Sequence, residues 1–408
     1  MSDTPAAEGA DVHSIVTKLQ AIHKSQILKD EAVKIETLTL ARKLVAALEG
    51  PVNRATDLVF KPYISIAARI AVDLDLFKLI SAIQGVITSE QLALASGGDK
   101  VLISRVLRLL AAVGFVEQPG RETWSANETT RAMASAPIAA GHSFDVLITS
   151  AIKAPKFLYE TGYKAPSEPT DGFVQYANQT KYNTFDFLHS MPSLFQDFNL
   201  FMGNTMGARE YWHEWYDVNG RLITDFNSSI GSTLLVDVGG GKGHDLLAFD
   251  STFGSPPKHY EGKLVLQDLP HVLDGIAENE LDANIGKMPH DFFTEQPVRG
   301  ARGYFLHHIL HDWSDKYCHV ILKNIRDSMV PGYSKLLIHE LILPDTGATE
   351  IQARFDLVMM TFNGGMERSR AQWTKLLRDA GFVNIKLWEH FDHDGIIEAE
   401  RGPATEVE

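Results

Sequence analysis

Leu235-Val236-Asp237-Val238-Gly239-Gly240-Gly241-Lys242-Gly243 is the stretch that decides the fold of this chain. An apolar run ends at an acidic residue and passes directly into glycines, which is typical of a buried parallel strand that turns into a helix around a nucleotide-like ligand. Glycine lets the backbone approach such a ligand because no Cβ is in the way. A plain glycine turn is the alternative interpretation of the same residues.

The glycine spacing separates two classes of nucleotide site. A dinucleotide fingerprint has the pattern G-x-G-x-x-G. Here Gly239, Gly241 and Gly243 give G-x-G-x-G, and His244 occupies the position of the third fingerprint glycine. The phosphate-binding pattern G-x-x-x-x-G-K-[ST] is absent from the sequence. The stretch therefore resembles the first motif of S-adenosylmethionine (SAM) methyltransferases more than a nicotinamide site.

Composition excludes several classes of protein. The chain has 408 residues, of which 44% are hydrophobic and 22% are charged, so it is long enough for two or three domains with ordinary cores. Its net charge of -14 argues against nucleic acid as the main partner, because phosphate binding needs a local excess of Lys and Arg. Cys318 is the only cysteine, which excludes an intramolecular disulfide framework and a cysteine-rich zinc site.

Membrane and secretion signals are missing from the sequence. No apolar stretch reaches the roughly 18 residues that a membrane span needs. Residues 1–12 have no basic-then-apolar signal pattern. We therefore expect a cytoplasmic enzyme with no membrane partner.

The amino-terminal third is predicted to be helical. Residues 1–11 are small and polar and are expected to be disordered, whereas residues 12–140 are expected to form a helical domain. Apolar residues at helical spacing between His13 and Leu48 predict amphipathic helices. The span from Lys61 to Ile83 predicts one helix that is too apolar for exposure to water, so it is either buried or part of a homodimer interface.

A compact pattern within this domain is typical of a winged helix. The capping box Thr88-Ser89-Glu90-Gln91 opens a short helix, Asp99 opens a second helix, and two short strands surround Pro119-Gly120. DNA binding is one interpretation of this order of elements. The second helix has few basic residues and acidic flanks, so a scaffold for dimerisation is the other interpretation.

Residues 141–408 are predicted to form the second domain. Pro, Gly and polar residues between Pro137 and Lys181 predict a linker and loops. Phe and Met recur at helical spacing from Asn183 to Met206, which is typical either of a core helix or of an adaptable apolar pocket. From Thr233 onward, strands alternate with helices, which predicts an α/β fold. The strand candidates are Thr233–Val238, Lys263–Gln267, Gly303–Leu306, Lys335–Leu341 and Val383–Trp388.

Polar residues follow these strand candidates in an order that suits one site. Asp268, at the end of the second strand, is placed to accept both hydroxyls of a ribose. Asp291 is suited to accept from an adenine amino group, and Phe292 is suited to pack on the ring. Three further motifs follow: His311-Asp312-Trp313-Ser314-Asp315, Ile338-His339-Glu340, and Asn363-Gly364-Gly365-Met366-Glu367-Arg368.

In this order the motifs resemble the SAM-dependent O-methyltransferases of the plant caffeate and flavonoid type and their fungal secondary-metabolism relatives. The resemblance extends from about Phe60 to His390 and is most specific at the string from His311 to Asp315. It implies a Rossmann-like class I methyltransferase sheet, an amino-terminal winged-helix domain that forms a homodimer, and SAM as the cofactor.

The resemblance also implies roles for single residues. His311 is the expected general base, and Glu340 and Glu367 are the glutamates that flank it. The expected cofactor-binding residues are Gly239, Gly241, Gly243, Asp268, Asp291, Phe292 and His307. The expected acceptor-binding residues are Phe198, Met202, Trp313, Met359 and Asn363.

The chain departs from the family at three of these positions. Many relatives have a lysine where this chain has His307, and often a methionine where it has Phe292. Plant members have a proline directly after the residue that corresponds to Asn363. These differences weaken any transfer of an acceptor from the family to this chain.

The expected reaction is methyl transfer to a hydroxyl, phenolic by expectation, of a small secondary metabolite. A hydroxyl is a poor nucleophile until its proton is removed, and a neutral histidine near pH 7 can remove it. The cofactor is already activated, so no metal is expected. One alternative is a SAM-binding enzyme that catalyses dehydration or pericyclic chemistry, and another is a SAM-sensing, DNA-binding regulator.

Overall fold

The structure is a computed structural model that describes residues 7–27, 29–205, 210–254, 260–277, 279–390 and 394–403. It divides into two compact units, residues 1–143 and residues 144–408. The division lies close to the boundary expected at residue 140. Of the helices in the described part of the chain, none combines the length and the hydropathy that a membrane crossing requires.

Helices make up most of the first unit. In chain order they are α1 (Ala7–Ala21), α2 (Lys24–Ile27), α3 (Glu31–Glu49), α4 (Pro51–Phe60), α5 (Pro62–Asp73), α6 (Leu76–Ser81), α7 (Ser89–Ser96), α8 (Lys100–Ala112), α9 (Glu128–Met133) and α10 (Ala136–Ser143). The strands β1 (Ile87–Thr88), β2 (Glu117–Gly120) and β3 (Thr123–Ser125) form a small sheet in the order β1-β3-β2. The predicted order of helix, helix and hairpin is therefore present.

Local capping explains where α7 and α8 begin. Thr88 and Gln91 form the predicted capping box of α7, and the Asp99 side chain accepts from the backbone N–H of Leu102 at the start of α8. Lys100, in the first turn of α8, has its ammonium 3.3 Å from a carboxylate oxygen of Glu90 and 3.3 Å from one of Glu122. These acidic partners offset part of the positive charge that a DNA-reading helix would present.

Two predictions for this unit need correction. Helix α1 begins at Ala7, inside the stretch 1–11 that was expected to be disordered, whereas residues 1–6 lie outside the described residues. The predicted helix from Lys61 to Ile83 is two helices, because Asp75 between α5 and α6 has a left-handed backbone with φ of 52°. A left-handed residue cannot continue a right-handed helix.

The second unit alternates helices and strands. Its helices are α11 (Val146–Glu160), α12 (Phe173–Asn178), α13 (Thr184–His189), α14 (Pro192–Thr205), α15 (Trp212–Trp215), α16 (His244–Phe253), α17 (Pro270–Asp274), α18 (Asp315–Ser328), α19 (Glu350–Asn363) and α20 (Arg370–Asp379). Its strands are β4 (Thr233–Val238), β5 (Lys263–Asp268), β6 (Ile285–Pro289), β7 (Gly303–His307), β8 (Lys335–Glu340), β9 (Ile342–Leu343), β10 (Arg368–Ser369), β11 (Phe382–Trp388) and β12 (Gly395–Arg401).

The main sheet has the strand order β11-β12-β8-β7-β4-β5-β6. The five strands β4 to β8 pair in parallel, and β12 and β11 pair in antiparallel fashion at one edge. The chain leaves β4 for β5 and β6 on one side and returns to β7 on the other side. This reversal opens a crevice at the carboxyl ends of β4 and β7, where doubly wound sheets bind ligands. The predicted α/β fold is confirmed.

Helices cover both faces of this sheet. Residues of α18 and α20 pack on one face of β4 and β7, and residues of α16 pack on the other. Every residue of β4 and of β8 is buried, as expected for central strands with helices on both sides. The rigid sheet therefore fixes the positions of the residues that follow its strands.

The structure differs from the sequence prediction in two respects within this unit. Strands β6 and β12 of the main sheet and the short strands β9 and β10 were not predicted. The stretch 137–181, predicted to be a linker with loops, contains α11 and α12, and its first residues belong to α10 at the end of the first unit. Helix α11 forms because Val146, Ser150, Ala154 and Phe157 recur at helical spacing and are buried together on one face.

Candidate active site

The glycine stretch forms the turn between β4 and α16. Gly239, Gly241 and Gly243 have φ of 75°, 57° and 80°, in the left-handed region that favours glycine. A Cβ on Gly239 would lie 2.7 Å from Cδ1 of Ile309, which follows β7. Apart from Gly241 itself and its chain neighbours, no atom of the described residues lies within 4 Å of the position that a Cβ on Gly241 would take, so a ligand can approach the backbone there.

Asp268 ends β5 beside this turn. Its Oδ2 accepts from the backbone N–H of Gly241 at 2.8 Å, and its Oδ1 accepts from that of Leu269 at 2.7 Å. Burial raises the pKa of Asp268, although the two backbone donors oppose the rise. The structure thus brings together two of the cofactor-binding residues expected from sequence, because adjacent parallel strands end at the same edge.

Asp291 and Phe292 follow β6, the next strand along the same edge. Oδ1 of the exposed Asp291 accepts from the backbone N–H of Phe293 at 2.9 Å. Phe292 is half-buried, and a ring carbon lies 3.6 Å from the position that a Cβ on Gly239 would take. Its ring also packs edge-on against Trp313, with centroids 6.0 Å apart. Phe292 therefore lies between the glycine turn and the motif around His311.

His311 lies in a short 3-10 turn, Leu310–Asp312, that follows β7. Its Nδ1 donates to Oε1 of Glu367 at 2.9 Å and lies 3.3 Å from Oε2 of Glu340. Oε1 of Glu340 accepts from the backbone N–H groups of Leu310 at 2.8 Å and His311 at 3.2 Å. The structure therefore brings the three expected catalytic residues into direct contact.

The short pair of strands β9 and β10 explains how the two glutamates meet. Glu340 lies two residues before the start of β9, and Glu367 directly precedes β10. Ile342 pairs with Arg368 in parallel. The first residues of β9 and β10 are therefore paired with each other, so the two glutamates lie at the same end of this strand pair, next to the His311 ring.

The electrostatics of this group differ from those of an exposed histidine. Burial by itself lowers the pKa of His311, but the carboxylates of Glu340, Asp312 and Glu367 overcome this effect and hold the pKa well above its usual range. Burial raises the pKa of Glu340 and raises that of Asp312 to about 6. Oδ1 of Asp312 lies 3.8 Å from Nε2 of His311. Nε2 is thus the ring nitrogen that remains for a reacting group.

The residues expected to bind the acceptor fall into two groups. Phe198 is half-buried, and its ring packs against Phe144 and Phe362, with centroids 5.2 Å and 6.1 Å away. Asn363 is buried beside Phe362, and its Oδ1 accepts from the backbone N–H of Thr184 at 3.1 Å. Trp313 instead packs with Phe292 and Phe293. Met202 on α14 and Met359 on α19 are half-buried.

The stripe of Phe and Met residues from Asn183 onward is neither wholly core nor wholly pocket. Leu188 is fully buried, whereas Phe185, Phe187, Met191, Phe195 and Phe198 are half-buried against it and its neighbours. Half-buried aromatic rings keep a face available for a ligand while they still contribute to packing. Met206, at the end of the predicted stripe, lies outside the described residues.

Comparison with known proteins decides the family. The O-methyltransferase domain model matches residues 207–383, and the O-methyltransferase dimerisation domain model matches residues 56–136. The O-methyltransferase penC of Penicillium thymicola is 43% identical over 391 residues, which are 94% of this chain and 96% of penC. The chain belongs to the O-methyltransferase family.

Further relatives agree with this assignment. The O-methyltransferase asqD of Emericella nidulans is 45% identical over 346 residues, which are 84% of this chain and 87% of asqD. The solved structure of LepI in complex with SAM is 27% identical, has a TM-score of 0.83, and aligns over 97% of this chain and 100% of LepI. This O-methyltransferase is therefore a SAM-dependent enzyme of the type found in fungal secondary metabolism.

His307 has a partner in this O-methyltransferase that the sequence analysis did not identify. Its Nδ1 lies 2.7 Å from Oδ2 of Asp245, in the first turn of α16. Burial lowers the pKa of His307, but the Asp245 carboxylate outweighs burial and raises it overall. The position of Asp245, directly after the glycine stretch, is the sequence feature that could have indicated this pair.

Two groups of side chains have metal-ligating atoms within 4.8 Å of one another in the described chain. One is His311, Glu340 and Glu367, and the other is His307, His339 and Asp394. Beside the second group, Nε2 of His308, which is not one of its members, lies 2.9 Å from Oδ2 of Asp394. The hydrogen bond between His311 and Glu367 thus accounts for a short distance in the first group.

Gly365 is a site residue whose role the sequence analysis missed. A Cβ on Gly365 would lie 2.0 Å from the backbone oxygen of His311 and 2.6 Å from the carbonyl carbon of Asp312. The backbone N–H of Met366 donates to that same His311 oxygen at 2.9 Å. The glycine turn after α19 therefore packs directly on the backbone of the turn that carries His311.

Proposed function

We propose that this enzyme transfers the methyl group of SAM to a hydroxyl of a small secondary metabolite, with His311 as the general base. The observation that carries the proposal is the orientation of His311. Glu340 and Glu367 bind its Nδ1 side, so Nε2 is the nitrogen that accepts the proton. The fungal O-methyltransferases penC and asqD support the same class of reaction.

The residues of the protein bind SAM and the acceptor, orient them, and deprotonate the acceptor hydroxyl. When bound, SAM supplies an electrophilic methyl group. Gly239, Gly241, Gly243 and Asp268 would hold the cofactor at the carboxyl edge of the sheet, and Asp291, Phe292 and His307 are the further residues proposed to bind it. His311 removes the proton of the acceptor hydroxyl, and Glu340 with Glu367 stabilises the imidazolium that forms. Buried aromatic residues around the turn exclude water.

A planar, phenolic acceptor suits the aromatic residues of the proposed pocket. Phe198 and Phe362 stack at an interplanar angle of 19°, and aromatic rings pair best with other flat rings in offset or edge-on contact. Nδ2 of the buried Asn363 has no hydrogen-bond partner among the described residues, so it is suited to donate to an oxygen of the acceptor. Met202, Trp313 and Met359 complete the proposed acceptor site.

Labelled SAM tests the proposed reaction. The enzyme is incubated with methyl-labelled SAM and an extract of the source organism, and products are separated by mass spectrometry. We expect a labelled product whose mass exceeds that of an extract component by one methylene unit, together with S-adenosylhomocysteine. Absence of label from every product would contradict methyl transfer.

Pericyclic or dehydration chemistry on a SAM-binding site is the second candidate. A solved structure described as a pericyclic reaction enzyme is 28% identical to this chain, with a TM-score of 0.82 over 96% of this chain. The same incubation separates the two candidates, because only methyl transfer consumes SAM. Conversion of an extract component with no loss of SAM would favour the second candidate.

We expect Asp268→Asn to weaken SAM binding about 10- to 100-fold. The change removes the charge with which Asp268 is proposed to accept from the ribose hydroxyls and with which it binds the backbone N–H of Gly241. A hydrogen bond to a charged group contributes about 1.5–3 kcal/mol. Titration calorimetry with SAM measures the effect. Asp274→Asn, an exposed aspartate six residues further along on α17, is the matched control and should bind SAM normally. Equal affinity in wild type and Asp268→Asn would contradict the assignment.

We expect metal chelators to leave the methyl-transfer rate unchanged. The two histidine–carboxylate groups identified above make this a real test, because each has the atoms to bind a divalent ion. The enzyme is assayed before and after dialysis against EDTA, with added Zn²⁺, Mg²⁺ or Mn²⁺ as the complementary series. A rate that EDTA abolishes and one ion restores would show that a metal takes part.

We also propose a homodimer formed mainly by residues before Ala140. Large apolar side chains of α4 and α5 are exposed in the single chain, among them Val59 (68%), Phe60 (58%) and Tyr63 (60%). Such a patch is typical of a protein interface. Light scattering should give twice the 45.2 kDa chain mass. Phe60→Glu should lower that mass, whereas Leu94→Glu, at a position on α7 that is 89% exposed, should not. A monomeric wild type would contradict the proposal.

A further inference from the structure

Arg368 is a buried cation directly behind the turn that carries His311. Its residue is 1% exposed, and it starts β10 immediately after Glu367. Its Nη1 donates to the backbone oxygen of Leu310 at 3.0 Å, and its Nη2 donates to that of Trp313 at 2.8 Å. Nε and Nη2 also donate to Oδ1 of Asp315, at 3.0 Å and 2.8 Å.

The two carbonyl groups that Arg368 binds lie on either side of His311. A 3-10 turn of three residues has few internal hydrogen bonds, so its geometry depends on outside partners. Glu340 accepts from the N–H groups at the start of this turn, and Met366 donates to the oxygen of His311. Arg368 donates to one carbonyl group on each side of His311, those of Leu310 and Trp313.

Cys318 lies beside the same carbonyl groups and cannot replace the arginine. Its Sγ lies 3.2 Å from the oxygen of Leu310 and 3.3 Å from that of Trp313. Burial raises the pKa of the Cys318 thiol to about 12, so it stays neutral and offers one weak donor. The planar guanidinium binds several acceptors in a fixed geometry, which a lysine ammonium cannot reproduce.

We propose that Arg368 is a positioning residue for His311: it fixes the backbone on both sides of the base, and with it the contact of the imidazole with Glu340 and Glu367. The inference rests on the proposed role of His311 as the general base. A displacement of about 1 Å in such a group can lower a rate on the order of a hundredfold.

The test compares Arg368→Met and Arg368→Lys with Arg302→Met as the matched control. Arg302 is also buried and also donates to backbone oxygens, those of Leu222 at 3.3 Å and Arg221 at 2.6 Å among them. It directly precedes β7, at the end of that strand opposite to His311. kcat, its pH dependence, SAM affinity and Tm are measured for each variant.

We expect Arg368→Met to lower kcat about 10- to 100-fold while SAM affinity stays within about twofold. The pH midpoint of kcat should fall, because His311 moves away from the carboxylates that raise its pKa. The titratable groups that face His311 are Glu340 from β8, Glu367 before β10, Asp312 on its own turn and the stacked His308. Arg368→Lys should restore only a small part of kcat. Arg302→Met should lower Tm without moving the pH midpoint.

The outcomes separate the two proposals. Wild-type kcat and pH midpoint in Arg368→Met, with His311→Gln inactive, would overturn the positioning role alone. Full activity of His311→Gln would overturn the proposed base, and the positioning role with it. If Arg368→Met does not fold, Asp315→Asn is measured instead, because it weakens the hydrogen bonds between Arg368 and the exposed Asp315. The pH midpoint of kcat should then also fall. An unchanged midpoint would overturn the proposal.

Discussion

His311→Ala is expected to lower the methyl-transfer rate about 100- to 10,000-fold, the usual effect of removing a general base. SAM affinity should stay nearly unchanged, because His311 follows β7. The proposed cofactor-binding residues Gly241 and Asp268 instead lie at the ends of β4 and β5. Initial rates on an identified acceptor and calorimetry with SAM measure the two effects. His319→Gln, a histidine on the neighbouring helix α18, is the control and should keep the wild-type rate.

The pH dependence of the wild-type rate gives an independent check of the same assignment. A base must be unprotonated to act, so the rate should rise with pH through the pKa of His311. The sequence alone predicts this rise at about pH 6 to 7.5. Because Glu340, Asp312 and Glu367 raise the pKa despite burial, the structure moves the expected rise to higher pH. Glu340→Gln should lower the midpoint, and Glu340→Gln or Glu367→Gln should lower the rate less than His311→Ala.

Two results would contradict the role of His311. One is a rate in His311→Ala above about a tenth of the wild-type value, since loss of a base costs more than that. The other is a wild-type rate that stays constant from pH 6 to 9. A fall in SAM affinity equal to the fall in rate would instead point to a general loss of the folded site.

Gly365→Ala is expected to abolish most of the activity and to lower the free energy of unfolding by about 2 kcal/mol or more. The new Cβ would lie 2.0 Å from the backbone oxygen of His311. Backbone atoms cannot move aside by a change of rotamer, so the turn that carries the base must shift. Denaturant unfolding and initial rates measure the two effects.

Gly286→Ala is the control for this steric argument. It makes the same substitution in the edge strand β6, where the nearest atom to the new Cβ, the oxygen of Leu264, is 3.7 Å away. That distance is an ordinary contact, so stability and rate should stay close to wild type. If Gly365→Ala were as stable and as active as Gly286→Ala, the close packing of the two turns would not matter for function.

The strands that the sequence predicts correctly are those whose residues agree with their surroundings. β4 and β8 are apolar almost throughout and are buried at every position, so local composition and tertiary environment indicate the same element. The unpredicted β12 contains Glu398, which is 1% exposed. Its carboxylate binds Arg221 and accepts from Tyr216 and Trp388, and the first two partners are more than 170 residues away in the chain. No local pattern can show that such a charge is compensated.

Strand β6 was not predicted for a related reason, which is its position at the edge of the sheet. The strand contains Gly286 and ends at Pro289, residues that weaken a strand prediction. A proline is tolerated there because β6 lies at the edge of the sheet, with β5 as its only pairing partner in the sheet order. The position of a strand within a sheet is a property of the whole fold and cannot be read from the strand itself.

The sequence by itself determined the α/β fold, the family and the cofactor, because glycine spacing and strand-end acids are local features that the chemistry of a SAM site requires. Only the tertiary structure decided how His311 is oriented. Glu340, Glu367, Gly365 and Arg368 reach its turn from strands and loops between 29 and 57 residues away. Their contacts arise because β9 pairs with β10 beside the ends of β7 and β8. The physical reason is that hydrogen bonds and burial act between neighbours in space, whereas sequence patterns report only neighbours in the chain.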